Sequence, residues 1–217
     1  MVEPEDTETA LIVYTAIFGD YDQPVRLTNE PGVEYYLLSY EGREWSGWKP
    51  VKIDPGTGDP ARDNRWAKMH PHEIFSGSKP TVYIDGHARF APPCRPWTAL
   101  PGRADVGLAA HPARYCLDCE AKHVAHRAPR AIEVVAGYAA AGLPHDFGLF
   151  RGGWVYRRAN AAARRFSEAW WQEYVRAGLA RDQLCLPFAL WRTGVAFATV
   201  KLDRVYWSTH RIARGAH

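Results

Sequence analysis

The chain has 217 residues, 47% of them hydrophobic and 24% charged, with a formal net charge of +3. That length suits one domain, or one domain with an elaboration, and the balance is that of a soluble globular protein. The charge is too small to argue for a nucleic-acid partner by itself, though it suits an anionic ligand, and no apolar run approaches the roughly 20 residues of a membrane span.

Residues 1–10 are acidic and lack the basic region of a secretory signal, so a disordered N-terminal segment and a cytoplasmic protein are expected, with one domain over 11–217. Residues 11–18 form a β-rich apolar run that stops at Gly19, the pattern of a buried first strand. Residues 33–38 are a second strand candidate. Residues 51–53 are a short third, closed by the turn signal Asp54-Pro55-Gly56. Residues 61–75 are helical in their first half, with Arg62, Arg65 and Lys68 on one face, until Pro71 ends or bends the helix. A fourth strand at 81–84 is followed by a Pro-rich loop at 91–102 and a strand at 105–110. Residues 113–141 are helix-prone, broken near Pro129 and stopped by Gly142-Leu143-Pro144. Residues 147–156 are extended, and Gly152-Gly153 marks a bulge or a tight approach. The clearest helix spans 160–177, where Asn160 is the cap and Phe166, Trp170, Tyr174 and Val175 recur on one face. A second helix starts within 182–190, perturbed by Pro187, and 197–207 alternates like a strand. Strands alternating with helices in the first half predict an α/β domain, its mixed, mostly parallel sheet flanked by helices on both faces. Ligands of such sheets bind at the carboxyl ends of the strands.

The fourth strand carries the most informative motif. It runs into Asp85, and Gly86 and His87 follow. An acid at the end of a buried strand is costly without a partner. Asp85 and His87 could face one divalent cation, Mn²⁺ or Mg²⁺, which would hold the diphosphate of a sugar nucleotide. Alternatively, Asp85 caps a turn whose geometry Gly86 supplies. Tyr14 and Thr15, at the end of the first strand, are candidate contacts to a nucleotide base or ribose, or else plain core. Arg62, Arg65 and Lys68 are candidate phosphate contacts, or a solvated basic face. Asp182 and Gln183 suggest a polar site edge, or an N-cap. His210 is either a late metal ligand or a residue of the tail. Cys116, Cys119, His123 and His126 have ligand types that suit zinc but stand too close together for a standard finger, and buried thiols beside surface histidines are the other reading. Arginines at 151–165 and 204–214 add a basic balance.

Nine short motifs follow one another between about Leu11 and Leu190. They are Tyr14-Thr15-Ala16-Ile17-Phe18-Gly19-Asp20-Tyr21-Asp22, Gly47-Trp48, Arg65-x-x-Lys68-x-x-Pro71-His72, Tyr83-Ile84-Asp85-Gly86, His111-Pro112, Glu120-Ala121, Gly142-Leu143-Pro144, Trp170-Trp171 and Arg181-Asp182-Gln183. The series resembles the glycosyltransferase-like family known as domain of unknown function 616, which includes plant Golgi proteins of pectin and mucilage biosynthesis. It is also similar to glycosyltransferase family 8. The resemblance implies a single glycosyltransferase-A domain that moves a sugar from a nucleoside diphosphate sugar, such as a UDP-sugar, to a hydroxyl of a glycan or small molecule, with retention. It further implies that Asp85 holds Mn²⁺, that His210 is a later metal ligand, and that Asp182 and Gln183 line the donor-sugar or acceptor side as catalytic residues. The departure is His87, where family 8 has a second acid. That departure motivates an alternative, an inactive sugar-nucleotide-binding module. The basic balance motivates another, transfer to a hydroxymethylated base in DNA. No membrane partner is expected.

Overall fold

The computed structural model describes residues 10–19, 22–24, 30–90, 101–200 and 205–207. The expectations for the N-terminal segment, for most of the Pro-rich loop, for His210 and for the arginines at 204–214 lie outside the described residues.

A seven-stranded sheet organises the molecule, in the order β3-β2-β1-β4-β7-β6-β8. β1 is Leu11–Ala16, β2 Val33–Ser39, β3 Lys49–Lys52, β4 Thr81–Ile84, β6 Val106–Ala110, β7 Phe150–Arg157 and β8 Phe197–Val200. β1 pairs in parallel with β2 and with β4, β2 with β3, and β6 with β8, while β7 runs antiparallel between β4 and β6. The fold is therefore α/β with a mixed, mostly parallel sheet flanked by helices, as the alternation of patterns predicts, but the helical core residues gather against one face of the sheet and not against both as expected. Two further strands, β5 (Ala88–Phe90) and β9 (Val205–Trp207), form a separate antiparallel pair. The tail expected as one strand over 197–207 thus divides between two sheets.

Alternation along the strands sorts the core into two faces. Tyr14 and Ala16 of β1 join Phe166, Trp170 and Leu186 in one cluster, and Leu11 and Val13 join Leu37, Val82 and Trp154 in the other. The helical residues of the core belong to the first cluster, which the helices below build against the sheet.

The helices follow local rules. α1 (Pro60–Met69) is capped by Asp59, whose Oδ1 accepts from the Ala61 N–H at 2.9 Å, and Pro60 occupies its first turn. It stops at His70 because Pro71 cannot continue it, and a single further turn, α2 (Pro71–Ile74), follows. The run at 113–141 divides into α3 (Leu117–Val124) and α4 (Ala131–Ala140) around Pro129. α3 begins later than expected because His111 Nδ1 ties back the Ala113 and Arg114 N–H groups in a turn. α5 (Ala161–Ala177) has the predicted cap, Asn160 Oδ1 accepting from Ala163 N–H at 3.0 Å, and ends at Gly178 with φ 62°. Phe166, Trp170 and Tyr174 of α5 are buried, but Val175 is 41% exposed, one residue round from the apolar stripe. A 3₁₀ turn at Asp182–Leu184 leads into α6 (Leu186–Thr193), where Pro187 sits in the first turn and is tolerated.

The register of β6 against β7 jumps between Leu108 and Ala109, opposite Gly152-Gly153. This is the irregularity the glycine pair predicts. No described helix is long and apolar enough to cross a membrane.

Candidate functional site

From β1 the chain runs outward through β2 to the edge strand β3 and then returns as β4 on the other side of β1, so the carboxyl ends of β1 and β4 mark the switch point where open α/β sheets bind ligands. A cleft of about 880 Å³ opens there. Ala16 and Asp85 bring these two strand ends to it, α1 contributes Asn64, Arg65 and Lys68, and β7 contributes Arg151 and the two glycines. Asp182 and Gln183 close the far wall.

Lys68 is the centre of this arrangement. It is buried, yet its Nζ donates to Asp182 Oδ2 at 3.0 Å and stands 3.8 Å from Asp85 Oδ1. Arg65 Nε adds a contact of 3.6 Å to Asp182 Oδ1. Burial alone would raise the Asp182 pKa, but Lys68 and then Arg65 outweigh it and hold the carboxyl below the usual carboxylate range. Asp182 is therefore an anion at neutral pH. Trp170 Nε1 donates to its backbone carbonyl at 2.9 Å, and Gly152 permits the close approach, since a Cβ there would stand 3.3 Å from Asp182 Oδ2.

Asp85 ends β4 in a turn. Its N–H donates to the Gly153 carbonyl at 2.9 Å and its carbonyl accepts from Ala88 N–H at 2.9 Å. Next to it His87 Nδ1 lies 3.4 Å from Asp22 Oδ2. A Cβ at Gly86 would stand 3.0 Å from the same oxygen, so glycine lets the Asp22 carboxylate lie against the turn. Among the described residues no three His, Cys, Asp or Glu side chains are placed together to hold a metal ion. Asp85 faces an ammonium and His87 faces a carboxylate. The described residues do not by themselves fit a Mn²⁺ or Mg²⁺ site, and His210 lies outside them. The same holds for zinc at the cysteines. Cys116 precedes α3, and its sulfur caps the helix by accepting from Cys119 N–H at 3.3 Å, while His126 falls beyond the helix end.

Arg65, Lys68, Asp85, His87, Asp182 and Gln183 thus meet in one cleft, as their motifs suggest. Three expected residues do not line it. Tyr14 and Thr15 are fully buried in the central strand, and Tyr14 donates its hydroxyl to the Lys68 carbonyl at 2.8 Å. The strand reaches the cleft only at Ala16. Arg62 lies over the Trp171 ring instead. Six residues of helix turn it about 120° away from Lys68, so the three cations do not share one face.

Sequence reasoning missed the supports. Asn64 donates to the Ala16 carbonyl at 2.6 Å and ties α1 to the end of β1. Glu120, wholly buried in α3, accepts from Arg181 at 3.0 Å and also pairs with Arg114, and Arg181 in turn donates to Gln183 Oε1 at 2.8 Å. Gln183 Nε2 is spent on the Phe150 carbonyl at 2.9 Å. His111 also lines the cleft, and burial and then Arg114 hold its pKa below the ordinary imidazole value. The only sequence signal for Glu120 and His111 was their place in the ordered motifs.

The arginines of 151–165 do not form one stripe. Arg151 lines the cleft, Arg157 is buried, and Arg164 pairs with Glu168 at 3.5 Å. Neither the family models compared with the chain nor the curated proteins searched give a match.

Proposed function

We propose that the chain is a glycosyltransferase that takes a sugar from a nucleoside diphosphate sugar, a UDP-sugar in the first instance, and transfers it to a hydroxyl. The observation that carries this reading is the buried Lys68 held between Asp182 and Asp85 at the switch point of the sheet. Cleavage of the glycosidic bond leaves negative charge on the departing diphosphate. Lys68, Arg65, Arg151 and Arg181, all in the cleft wall, supply positive charge for it. Each acts in a partly desolvated site, where about 1.4 kcal/mol of preferential stabilisation of the leaving group is tenfold in rate. The Asp182 carboxylate, kept ionised by its neighbours, is an acceptor for hydroxyls of the donor sugar or of the incoming acceptor. The Gln183 amide, tied to Phe150 and Arg181, positions this wall. The cleft volume suits a ligand of nucleotide-sugar size.

A divalent cation at Asp85, with His87 and His210 as further donors, would add charge at the diphosphate, and no step above depends on it. Retention at the anomeric centre, a cytoplasmic location and a glycan or small-molecule acceptor belong to the same proposal.

The test is release of nucleoside diphosphate from a panel of UDP-sugars, with and without Mn²⁺, by the native chain and by Asp182→Asn. Turnover that falls at least tenfold in the variant supports the reading. Binding with no turnover on any donor would leave only a sugar-nucleotide-binding module. Absence of both would refute the proposal.

A further inference from the structure

A second cavity, of about 300 Å³, lies at the opposite end of the sheet from the cleft. Thr81, the first residue of β4, and Arg157, the last of antiparallel β7, bring the strand ends to it, and the first turns of α5 form its wall with Asn160, Ala161 and Arg164. Its charge differs from that of the cleft. Lys79, Arg157, Arg158 and Arg164 line it, and no carboxylate is among its lining residues, although Glu168 behind Arg164 at 3.5 Å and Asp105 behind Arg158 at 4.0 Å answer two of these charges.

Arg157 is the telling residue. It is 3% exposed. Its Nε donates to Ser167 Oγ at 2.7 Å, and Ser167 also lines the cavity, but Nη1 and Nη2 make no well-aligned hydrogen bond, and the polar group beside the guanidinium is the Tyr14 phenol. The Trp170 ring 5.9 Å away gives the guanidinium only a weak π contact. The neighbouring Tyr14 phenol is no counter-ion, because burial lifts its pKa far above the ordinary value. An arginine cannot shed its proton to escape a dry site, and a buried charge without an answering charge costs several kcal/mol. Two more orphans line the same cavity. The Thr81 hydroxyl and both ring nitrogens of His72 are buried without hydrogen bonds, although His72 Nε2 stands 3.7 Å from Glu168 Oε1 and 3.8 Å from Glu73 Oε1. The N-terminus of the 17-residue helix α5 adds its partial positive charge.

We infer that this cavity is a binding site for a small phosphate-bearing anion, inorganic phosphate or a small phosphomonoester, held by Arg157, Ser167, Thr81, Arg164 and the first turn of α5. Phosphate offers several acceptor oxygens to a set of groups that are nearly all donors. The doubly charged oxygen face matches a guanidinium in fork geometry. This site stands independently of the transferase reading, since it uses none of the residues of the cleft.

The experiment is thermal unfolding of the full chain against inorganic phosphate, against glycerol phosphate, and against chloride at matched ionic strength. Phosphate or glycerol phosphate at a hundredfold excess over its Kd is expected to raise Tm by about 5–10 °C relative to chloride. Arg164→Ala and Lys79→Ala are expected to weaken the response several-fold. Arg65→Ala, in the cleft, is expected to leave it intact. A larger rise with glycerol phosphate assigns an organic ester, and an equal or larger rise with phosphate assigns the free ion. Arg157→Met is expected to abolish the response, and the two surface variants decide the matter if that protein does not fold. No rise beyond chloride with either anion, or a rise lost in Arg65→Ala and kept in Arg164→Ala, would overturn the site and leave a water-filled cavity.

Discussion

Asp182→Asn is the most informative single change, because it alters charge at almost constant shape. Lys68 and Asp182 have 4% and 9% of their side chains exposed, so their interaction is little screened. Contacts of 3.0 Å to Asp182 and 3.8 Å to Asp85 correspond to gross attractions of about 5.5 and 4.4 kcal/mol at an effective dielectric near 20. Desolvation cancels most of that sum in the intact site, but it is not returned when one partner goes. Breaking a buried pair from one side costs roughly 3–5 kcal/mol. Lys68 keeps Asp85, so the lower end of that range is expected, about 3 kcal/mol and a Tm fall of about 6–12 °C. Lys68→Met should cost a comparable amount. The double variant should recover at least about 2 kcal/mol relative to the sum of the singles, since it removes both charges together. Urea and thermal unfolding of the four proteins measure this cycle. Single costs below about 1 kcal/mol, or additivity within about 0.5 kcal/mol, would show that the ion pair is not the linchpin described above.

Tyr14→Phe removes the buried hydroxyl that donates to the Lys68 carbonyl and should cost about 1 kcal/mol by urea unfolding. Because Tyr14 is core, UDP affinity should stay within about twofold of native on the corresponding scale of about 0.4 kcal/mol. Loss of affinity with unchanged stability would return Tyr14 to the ligand. Gly86→Ala places a Cβ against the tips of Ile17 and Asp22, which can move, so stability should fall by under about 1 kcal/mol. The displaced Asp22 carboxylate and His87 should still weaken donor binding in calorimetry, and unchanged binding would remove this turn from the site. Burial first, and His70 and Arg164 next, hold the His72 pKa down at about 4. The unfolded chain then takes up a proton that the folded chain refuses. Stability should accordingly be level above about pH 6.5 and decline from there toward pH 4. His72→Phe should flatten that limb of the urea midpoint against pH, and an unchanged slope would reject the assignment. Asp182 works at lower pH. Its folded pKa is depressed, so its contribution is present above the unfolded value near 3.9 and fades as pH falls through the folded one.

The fold was legible where one local signal dominated. Strand β4, the Asn160 cap, the break before Pro71 and the glycine irregularity in β7 each follow from a short-range rule that tertiary contacts do not oppose. The cleft was legible through Asp85 and Asp182, which stand nearly a hundred residues apart and meet only because Lys68 reaches both. What failed was direction. Tyr14 and Thr15 sit in a strand buried on both faces, and one strand end looks like another until the pairing order is known. The face shared by Arg62, Arg65 and Lys68 failed by arithmetic, because steps of three drift around a helix of 3.6 residues per turn. The antiparallel course of β7, which places Arg157 at the far cavity and Arg151 at the cleft, leaves no mark in a sequence pattern.

Calorimetric titration of UDP into the native chain and into Arg65→Ala tests the central claim most directly, because Arg65 reaches the cleft from a partly exposed position that the fold tolerates losing. Saturable one-to-one binding to the native chain, weakened at least tenfold in the variant and displaced by UDP-sugars, is the expected result. No binding, or binding of equal strength in both proteins, would contradict a nucleotide site built around Lys68 and Asp182.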